Sequence, residues 1–147
     1  MYKHILIPTD GSPQSSHAAM AGVEFAKAVG ARVTGLYAAP APTPLVFENI
    51  VPVRYMTMDE RAELIEQSAK RHLGVIEEAA RAAGVPCACL SITSEYPAET
   101  ILATAKRRKC DLIFMASHGR RGLSGLLLGS ETQKVLTHAR IPVLVHR

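Results

Sequence analysis

Four glycines follow an apolar run late in the chain, and their spacing indicates a loop that holds phosphate. The apolar residues 112–115 are followed by Gly119 and Arg120. Gly129 and Ser130 then open a predicted helix. Glycine lets backbone amides approach an anion without a Cβ in the way, and a helix N-terminus adds unpaired amides and a positive dipole end. The alternative is a flexible surface loop whose glycines only satisfy turn geometry.

Asp10 follows a second apolar run, at the start of the chain. An Asp-Gly pair after a strand often makes only a turn. Ser117 and His118 are adjacent. A catalytic triad needs a base brought to the serine from elsewhere and an orienting acid behind it, so we do not expect catalysis by this pair.

Other chemistries find little support in the sequence. No GxxxxGK[ST] motif occurs, and no GxGxxG follows the first strand, which argues against P-loop hydrolysis and dinucleotide binding. The histidines are scattered singly, and no set of side chains has metal-ligand spacing. Cys87 and Cys89 lie two apart in an apparent strand, so they share a face, where we expect them to pack as small hydrophobic residues.

Length and composition indicate one globular domain over residues 1–147, with enough apolar residues for a core of its own. The net charge is +4. The only basic run, residues 106–109, ends a predicted helix, where cations oppose the negative dipole end. Because aromatic residues are 5% and Trp is absent, we do not expect nucleic-acid binding. The sequence has no apparent signal peptide and no apolar stretch long enough to span a membrane, so a cytoplasmic location is expected.

Hydrophobic periodicity predicts five strands alternating with four helices. Ser12 caps the first predicted helix, and Thr57 with Glu60 forms a capping box at the second. The inward face of that second helix is predicted to carry Leu64, Ala69, Leu73, Ile76 and Ala80. Residues 39–56, with four prolines, are predicted to form a long loop that acts as a flap.

This alternation predicts a parallel sheet with helices on both faces, because each parallel crossover needs a helix. Ligands bind such sheets beyond the carboxyl ends of the strands, where the strand order reverses. If the first and fourth strands are neighbours, Asp10 and the glycine loop flank one crevice.

The whole chain resembles the universal stress protein family. The resemblance lies in the opening residues 5–12, the closing residues 142–145, and the spacing of Gly119 from Gly129 and Ser130. Nucleotide-binding members carry an earlier glycine where this chain has Ala116. We expect the backbone there still to be extended, so that alanine adds only a methyl group near the ligand.

The resemblance implies a Rossmann-like fold of the adenine nucleotide alpha hydrolase type, a five-stranded sheet in the order 3-2-1-4-5. It implies ATP, with Mg²⁺ bound through the phosphates, in the crevice between strands one and four. It also implies a homodimer that pairs the last strands through Val143, Leu144 and Val145. The nucleotide-binding residues implied are Pro8, Thr9, Asp10, Ala38, Met115, Ala116, His118, Gly119, Arg120, Gly129, Ser130, Glu131 and Thr132.

The expected function is therefore an ATP-binding switch in the stress response, with at most slow hydrolysis. The alternative is a nucleotide-free dimeric interaction module of the same family. A receiver domain has the same alternating pattern, but it needs an acidic cluster at the first strand and an aspartate ending the third, and only Asp10 fits. An FMN carrier would need stacking aromatic residues, which are few in the loops.

Overall fold

Five parallel strands form one sheet in the order β3-β2-β1-β4-β5. The computed structural model describes residues 1–39, 57–119 and 128–147. The elements, in chain order, are β1 (His4–Thr9), α1 (Pro13–Val29), β2 (Arg32–Ala39), α2 (Met58–Ala83), β3 (Cys87–Thr93), α3 (Pro97–Arg108), β4 (Leu112–Ala116), α4 (Ser130–His138) and β5 (Val143–His146). The strand order and the alternation of strands and helices confirm the expected fold. The flap predicted within residues 39–56 lies, from residue 40 on, outside the described residues.

The central strands are buried on both faces, and successive side chains enter different cores. Ile5 and Ile7 of β1 join a cluster with α1 and α2, whereas Leu6 joins a second cluster with α3 and α4. Along β4, Phe114 contributes to the first cluster and Met115 to the second. This alternation follows from the two-residue period of a strand, and it places helices on both faces of the sheet.

Helix ends follow the capping signals in the sequence. Ser12 accepts a hydrogen bond from the Ser15 amide, and Gly30 ends α1 in the left-handed conformation. Thr57 and Glu60 form the expected capping box of α2. Within the described ranges, no helix combines the length and the apolar character needed to cross a bilayer.

The inward face of α2 differs from the prediction at one position. Leu64 is 44% exposed, whereas Ile65 packs against the core. The buried residues Ala69, Leu73, Ile76 and Ala80 continue from Ile65 at spacings of three and four. The prediction was therefore wrong at Leu64, because the apolar stripe begins one residue later on the helix.

His4 is a buried imidazole in the first strand. The residue is 7% exposed, and its Nε2 lies 2.7 Å from the hydroxyl of Thr34. Burial, together with the Arg32 guanidinium, lowers the pKa of His4 below its ordinary value. The folded state therefore favours the neutral imidazole.

This shift predicts a loss of stability in acid. Because the unfolded chain binds the proton more tightly, stability falls as pH drops through about 6.5 towards the folded-state pKa, by up to about 1.4 kcal/mol per pH unit. Urea unfolding between pH 7.5 and 5 should show a smaller loss in His4→Gln than in the wild type. His17→Gln, which removes an exposed imidazole, is the matched control. Equal pH dependence in all three proteins would contradict this assignment.

Candidate functional site

The carboxyl ends of β1 and β4 meet at one crevice. The two strands are neighbours in the sheet, and Leu6 pairs with Ile113. The chain leaves β1 towards β2 on one side and returns through β4 on the other, so the strand order reverses here. Open α/β sheets bind ligands at such a switch point.

A cleft of about 260 Å³ lies at this point. Of the thirteen residues named from the family resemblance, twelve line it, and Arg120 lies outside the described residues. The twelve are Pro8, Thr9, Asp10, Ala38, Met115, Ala116, His118, Gly119, Gly129, Ser130, Glu131 and Thr132. The fold therefore gathers residues from four separate parts of the sequence around one space.

The loop after β1 holds Asp10 by its own hydrogen bonds. Its Oδ1 accepts a hydrogen bond from the Ser12 amide at 2.9 Å. The Thr9 hydroxyl accepts a hydrogen bond from the Gly11 amide at 3.1 Å and lies 2.9 Å from the Ser15 hydroxyl. Asp10 thus has the turn-forming role that its sequence context suggested, and it also lines the cleft.

Gly119 lies directly against the Asp10 carboxylate. A Cβ built on Gly119 would overlap Oδ2 of Asp10. With a side chain at residue 119, the Asp10 carboxylate would have to move. This contact joins the two sides of the cleft.

Ala116 ends β4 in extended conformation. It pairs with His146 of β5, and Lys109 is the only non-glycine residue of the described chain with positive φ. Alanine therefore causes no backbone strain at this position, which confirms the expected conformation. The Ala116 carbonyl accepts a hydrogen bond from the buried Thr132 hydroxyl at 3.0 Å.

The N-terminus of α4 opens at the same cleft. Gly129 is its N-cap, with φ −69° and ψ 154°, and it makes no side-chain capping bond. Its own amide donates to the Ser117 carbonyl at 2.8 Å, and a Cβ on Gly129 would lie 3.3 Å from that oxygen. Because the N-cap has no side chain, it does not use the first-turn amides of α4, which are donors suited to an anion.

Glu131 has a structural task beside the cleft. Its Oε2 accepts a hydrogen bond from the Ala98 amide at 3.0 Å, and its Oε1 lies 2.9 Å from the Lys134 ammonium. Tyr96, the N-cap of α3, makes no side-chain capping bond. Glu131 therefore caps α3, and the pairing with Lys134 offsets part of its charge at the cleft.

Ser117 and His118 form a local pair. The Ser117 hydroxyl lies 3.0 Å from Nδ1 of His118, and the Ser117 amide donates to the His146 carbonyl at 2.8 Å. Ser117 is only 7% exposed, whereas His118 lines the cleft. The geometry suits a serine that orients the imidazole better than a serine that attacks a substrate.

Three cleft residues were not anticipated from the sequence. Ser15 comes from the first turn of α1, and Pro97 and Ile101 come from α3. Pro97 begins α3 and Ile101 is one of its buried residues. Their place at the cleft depends on how α3 packs beside α4, which no local pattern encodes.

The fold and the cleft define a class: an open, doubly wound α/β protein with a ligand site at the switch point of its sheet. A model of the universal stress protein family matches residues 1–147. This chain belongs to the universal stress protein family.

Individual relatives agree with the family match. A universal stress protein of Thermus aquaticus is 36% identical, covering 100% of both chains. One of Methanocaldococcus jannaschii is 33% identical, over 99% of this chain and 82% of that one. The crystal structure of a family member from Burkholderia pseudomallei is 25% identical, with a TM-score of 0.74 over 99% of this chain and 96% of that one.

Two more distant proteins share the fold and were solved with nucleotides. One is a universal stress protein in complex with cAMP, 21% identical with a TM-score of 0.69. The other is a family protein from Arabidopsis thaliana with AMP bound, 14% identical with a TM-score of 0.67. At these identities the likeness to this chain is one of fold.

The contact between Gly119 and Asp10 predicts a specific cost of adding a methyl group. Gly119→Ala should destabilise the protein by about 1 kcal/mol, because the carboxylate must move and its bond to the Ser12 amide is lost. Gly74→Ala is the matched control: apart from the neighbouring backbone of its own helix, no heavy atom lies within 4 Å of its Cβ position. Since Gly74 lies inside α2, alanine there should stabilise by about 0.5–1 kcal/mol. Urea unfolding measures both, and an unchanged stability of Gly119→Ala would contradict the close approach.

Proposed function

We propose that this protein binds an adenine nucleotide, ATP with Mg²⁺, in the cleft between β1 and β4. The main observation behind this proposal is that Asp10 lies in the same cleft as the N-terminus of α4, which is flanked by Gly119 and Gly129. This pairing offers an acceptor for ribose hydroxyls on one side and donors for phosphate on the other. The two fold neighbours that hold cAMP and AMP support the choice of an adenine nucleotide.

The apolar part of the cleft suits the base. Pro8, Ala38, Met115 and Ile101 line it together. The small side chain of Ala38 at the end of β2 leaves space beside the sheet for a flat ring. Asp10 lies next to this part, where its carboxylate would accept a hydrogen bond from a ribose hydroxyl.

The phosphates belong at the other end of the cleft. The amides of Ser130, Glu131 and Thr132 form the first turn of α4, whose positive dipole end favours an anion. Gly119 and His118 line the cleft beside this helix end. Phosphate would therefore be bound without a lysine side chain and without a P-loop.

Bound Mg²⁺ would neutralise part of the phosphate charge and would be held by the phosphate oxygens. Among the described residues, no three His, Cys, Asp or Glu side chains converge to hold a metal ion by themselves. With Glu131 occupied at the N-terminus of α3, we identify no general base for water among the described residues, so hydrolysis should be slow at most. We therefore propose a switch in the stress response: the nucleotide shifts the protein between two states that bind it with different affinity.

We also propose that two copies of this chain form a homodimer through β5. This strand lies at the edge of the sheet, and all four of its residues are half-buried. An edge strand offers unpaired amides and carbonyls to a second strand. Val143, Leu144 and Val145 would pair with the same residues of a second copy.

A nucleotide-free interaction module remains the alternative function, and a thermal-shift measurement separates the two. Mg-ATP at 100 times its dissociation constant should stabilise the protein by about 2.7 kcal/mol and raise Tm by roughly 5–10 °C. No shift at millimolar Mg-ATP would contradict nucleotide binding. AMP and cAMP in parallel report how much of the affinity the extra phosphates contribute.

A substitution at Gly129 tests whether the nucleotide binds at the N-terminus of α4. Gly129→Val places a branched side chain at the N-terminus of α4 and should abolish the shift while circular dichroism still reports a folded protein. Gly30→Val is a control distant from the cleft, although its positive φ makes it the more strained variant. Retention of the full shift in Gly129→Val would place the nucleotide elsewhere.

Asp10→Ala separates ribose binding from the turn. We expect affinity for ATP to fall by about 1–3 kcal/mol, since the carboxylate is the proposed ribose acceptor. Ser12→Ala is the matched control in the same loop: it removes the cap of α1, which costs about 1 kcal/mol of stability, but leaves the carboxylate in place. Calorimetric titration of both variants should show weakened binding only for Asp10→Ala. Equal affinities in the two variants would leave Asp10 as a turn residue alone.

A further inference from the structure

Two thiols lie side by side on the outermost strand, away from the nucleotide cleft. Among the described residues, β3 pairs with β2 alone. Cys87 and Cys89 project to the same face of β3, and their Sγ atoms are 3.9 Å apart. Both side chains contact the core cluster under α2, as expected for small hydrophobic residues, but both are only half-buried. Small solutes can therefore reach them.

Gly35 of β2 makes room for this pair. It lies opposite Cys89 in the strand register. A Cβ on Gly35 would lie 2.6 Å from the Cys89 sulfur and 3.2 Å from a methyl group of Ile76. The absence of a side chain on the neighbouring strand thus lets the second sulfur sit beside the first.

The three cysteines differ in acidity. The hydrogen bond with Cys89 lowers the pKa of Cys87, against the opposing effects of burial and of Glu77. The same hydrogen bond, with burial and Glu77, raises the pKa of Cys89. Cys110 is 6% exposed, and burial raises its pKa to about 11. These directions favour Cys87 over Cys89 as the attacking sulfur, and burial makes Cys110 the least reactive of the three.

We propose that Cys87 and Cys89 form a peroxide-reactive dithiol, in which Cys87 is the attacking residue and Cys89 the resolving one. This site lies on the opposite side of β1 from β4 and does not depend on the proposed nucleotide binding.

The reaction balances with hydrogen peroxide as the only oxidant. The Cys87 thiolate attacks one peroxide oxygen, so that an S–O bond forms, the O–O bond breaks, and the departing hydroxide takes a proton from solvent. Cys89 then gives its proton to solvent and attacks the sulfenic sulfur of Cys87. The S–S bond forms, the S–O bond breaks, and a second hydroxide leaves as water. One peroxide is reduced to two waters, and two thiols are oxidised to one disulfide.

The strand makes the second step the slower one. Residues two apart in a strand have Cα atoms about 6.4–6.8 Å apart, the upper end of the range that a disulfide spans. Closing the bond therefore requires β3 to bend. Because β3 is an edge strand, this bend would disturb its pairing with β2.

Mass spectrometry of the full-length reduced protein tests the proposal. With limiting peroxide, the peptide that contains both Cys87 and Cys89 should become about 2 Da lighter in the wild type and in Cys110→Ser, because a disulfide forms within it. Cys89→Ser should instead accumulate a sulfenic acid on Cys87 that dimedone traps. Cys87→Ser should lose the rapid reaction altogether.

A second measurement needs no variant. Pulse alkylation of the native wild type with iodoacetamide should modify Cys87 at least about tenfold faster than Cys110. Equal rates at the two residues would overturn the proposal. So would the absence of the linked peptide in peroxide-treated wild type, or the appearance of disulfides only between separate chains.

Discussion

The pairing of β1 with β4 is the constraint on which the cleft depends. Both strands are buried on both faces, so neither can shift by one residue without moving side chains from one core to the other. Their register fixes where the two strands end. The loops that follow therefore meet, and Gly119 comes against Asp10. Stability of the sheet and geometry of the cleft are consequences of the same contacts.

The cleft is built largely from backbone and from small residues. Thr132 and Gly129 bind the carbonyls that end β4, and they thereby fix the N-terminus of α4 against the strand. Ala116 fits this arrangement because its backbone is extended. An added Cβ at Gly119 would displace the Asp10 carboxylate. This explains why glycine spacing carries more information here than any charged motif.

Much of this architecture was predictable from local signals. Ser12 and the Thr57–Glu60 capping box marked helix starts correctly, because caps satisfy backbone groups within a few residues. The order of the strands came from the family resemblance. Leu64 was misplaced because it adjoins Ile65, and only the packing of α2 shows which of the two faces the core.

Tertiary roles were harder to foresee. The capping of α3 by Glu131 joins residues 33 apart in sequence, and no local pattern predicts it. The same holds for Gly35, which leaves space for the sulfur of Cys89 on the next strand. Ser15, Pro97 and Ile101 reach the cleft only through the packing of α1 and α3 around the sheet. Sequence patterns report a residue's own element, whereas these roles depend on a neighbouring one.

Amide chemical-shift mapping tests nucleotide binding between β1 and β4 residue by residue. Titration of isotope-labelled protein with Mg-ATP should perturb the amides of residues 9–12, 115–119 and 129–132, and leave those of β3 and of the C-terminus of α2 unchanged. This pattern would place the nucleotide between the ends of β1 and β4. Perturbations confined to other surfaces, or none at millimolar nucleotide, would contradict the account.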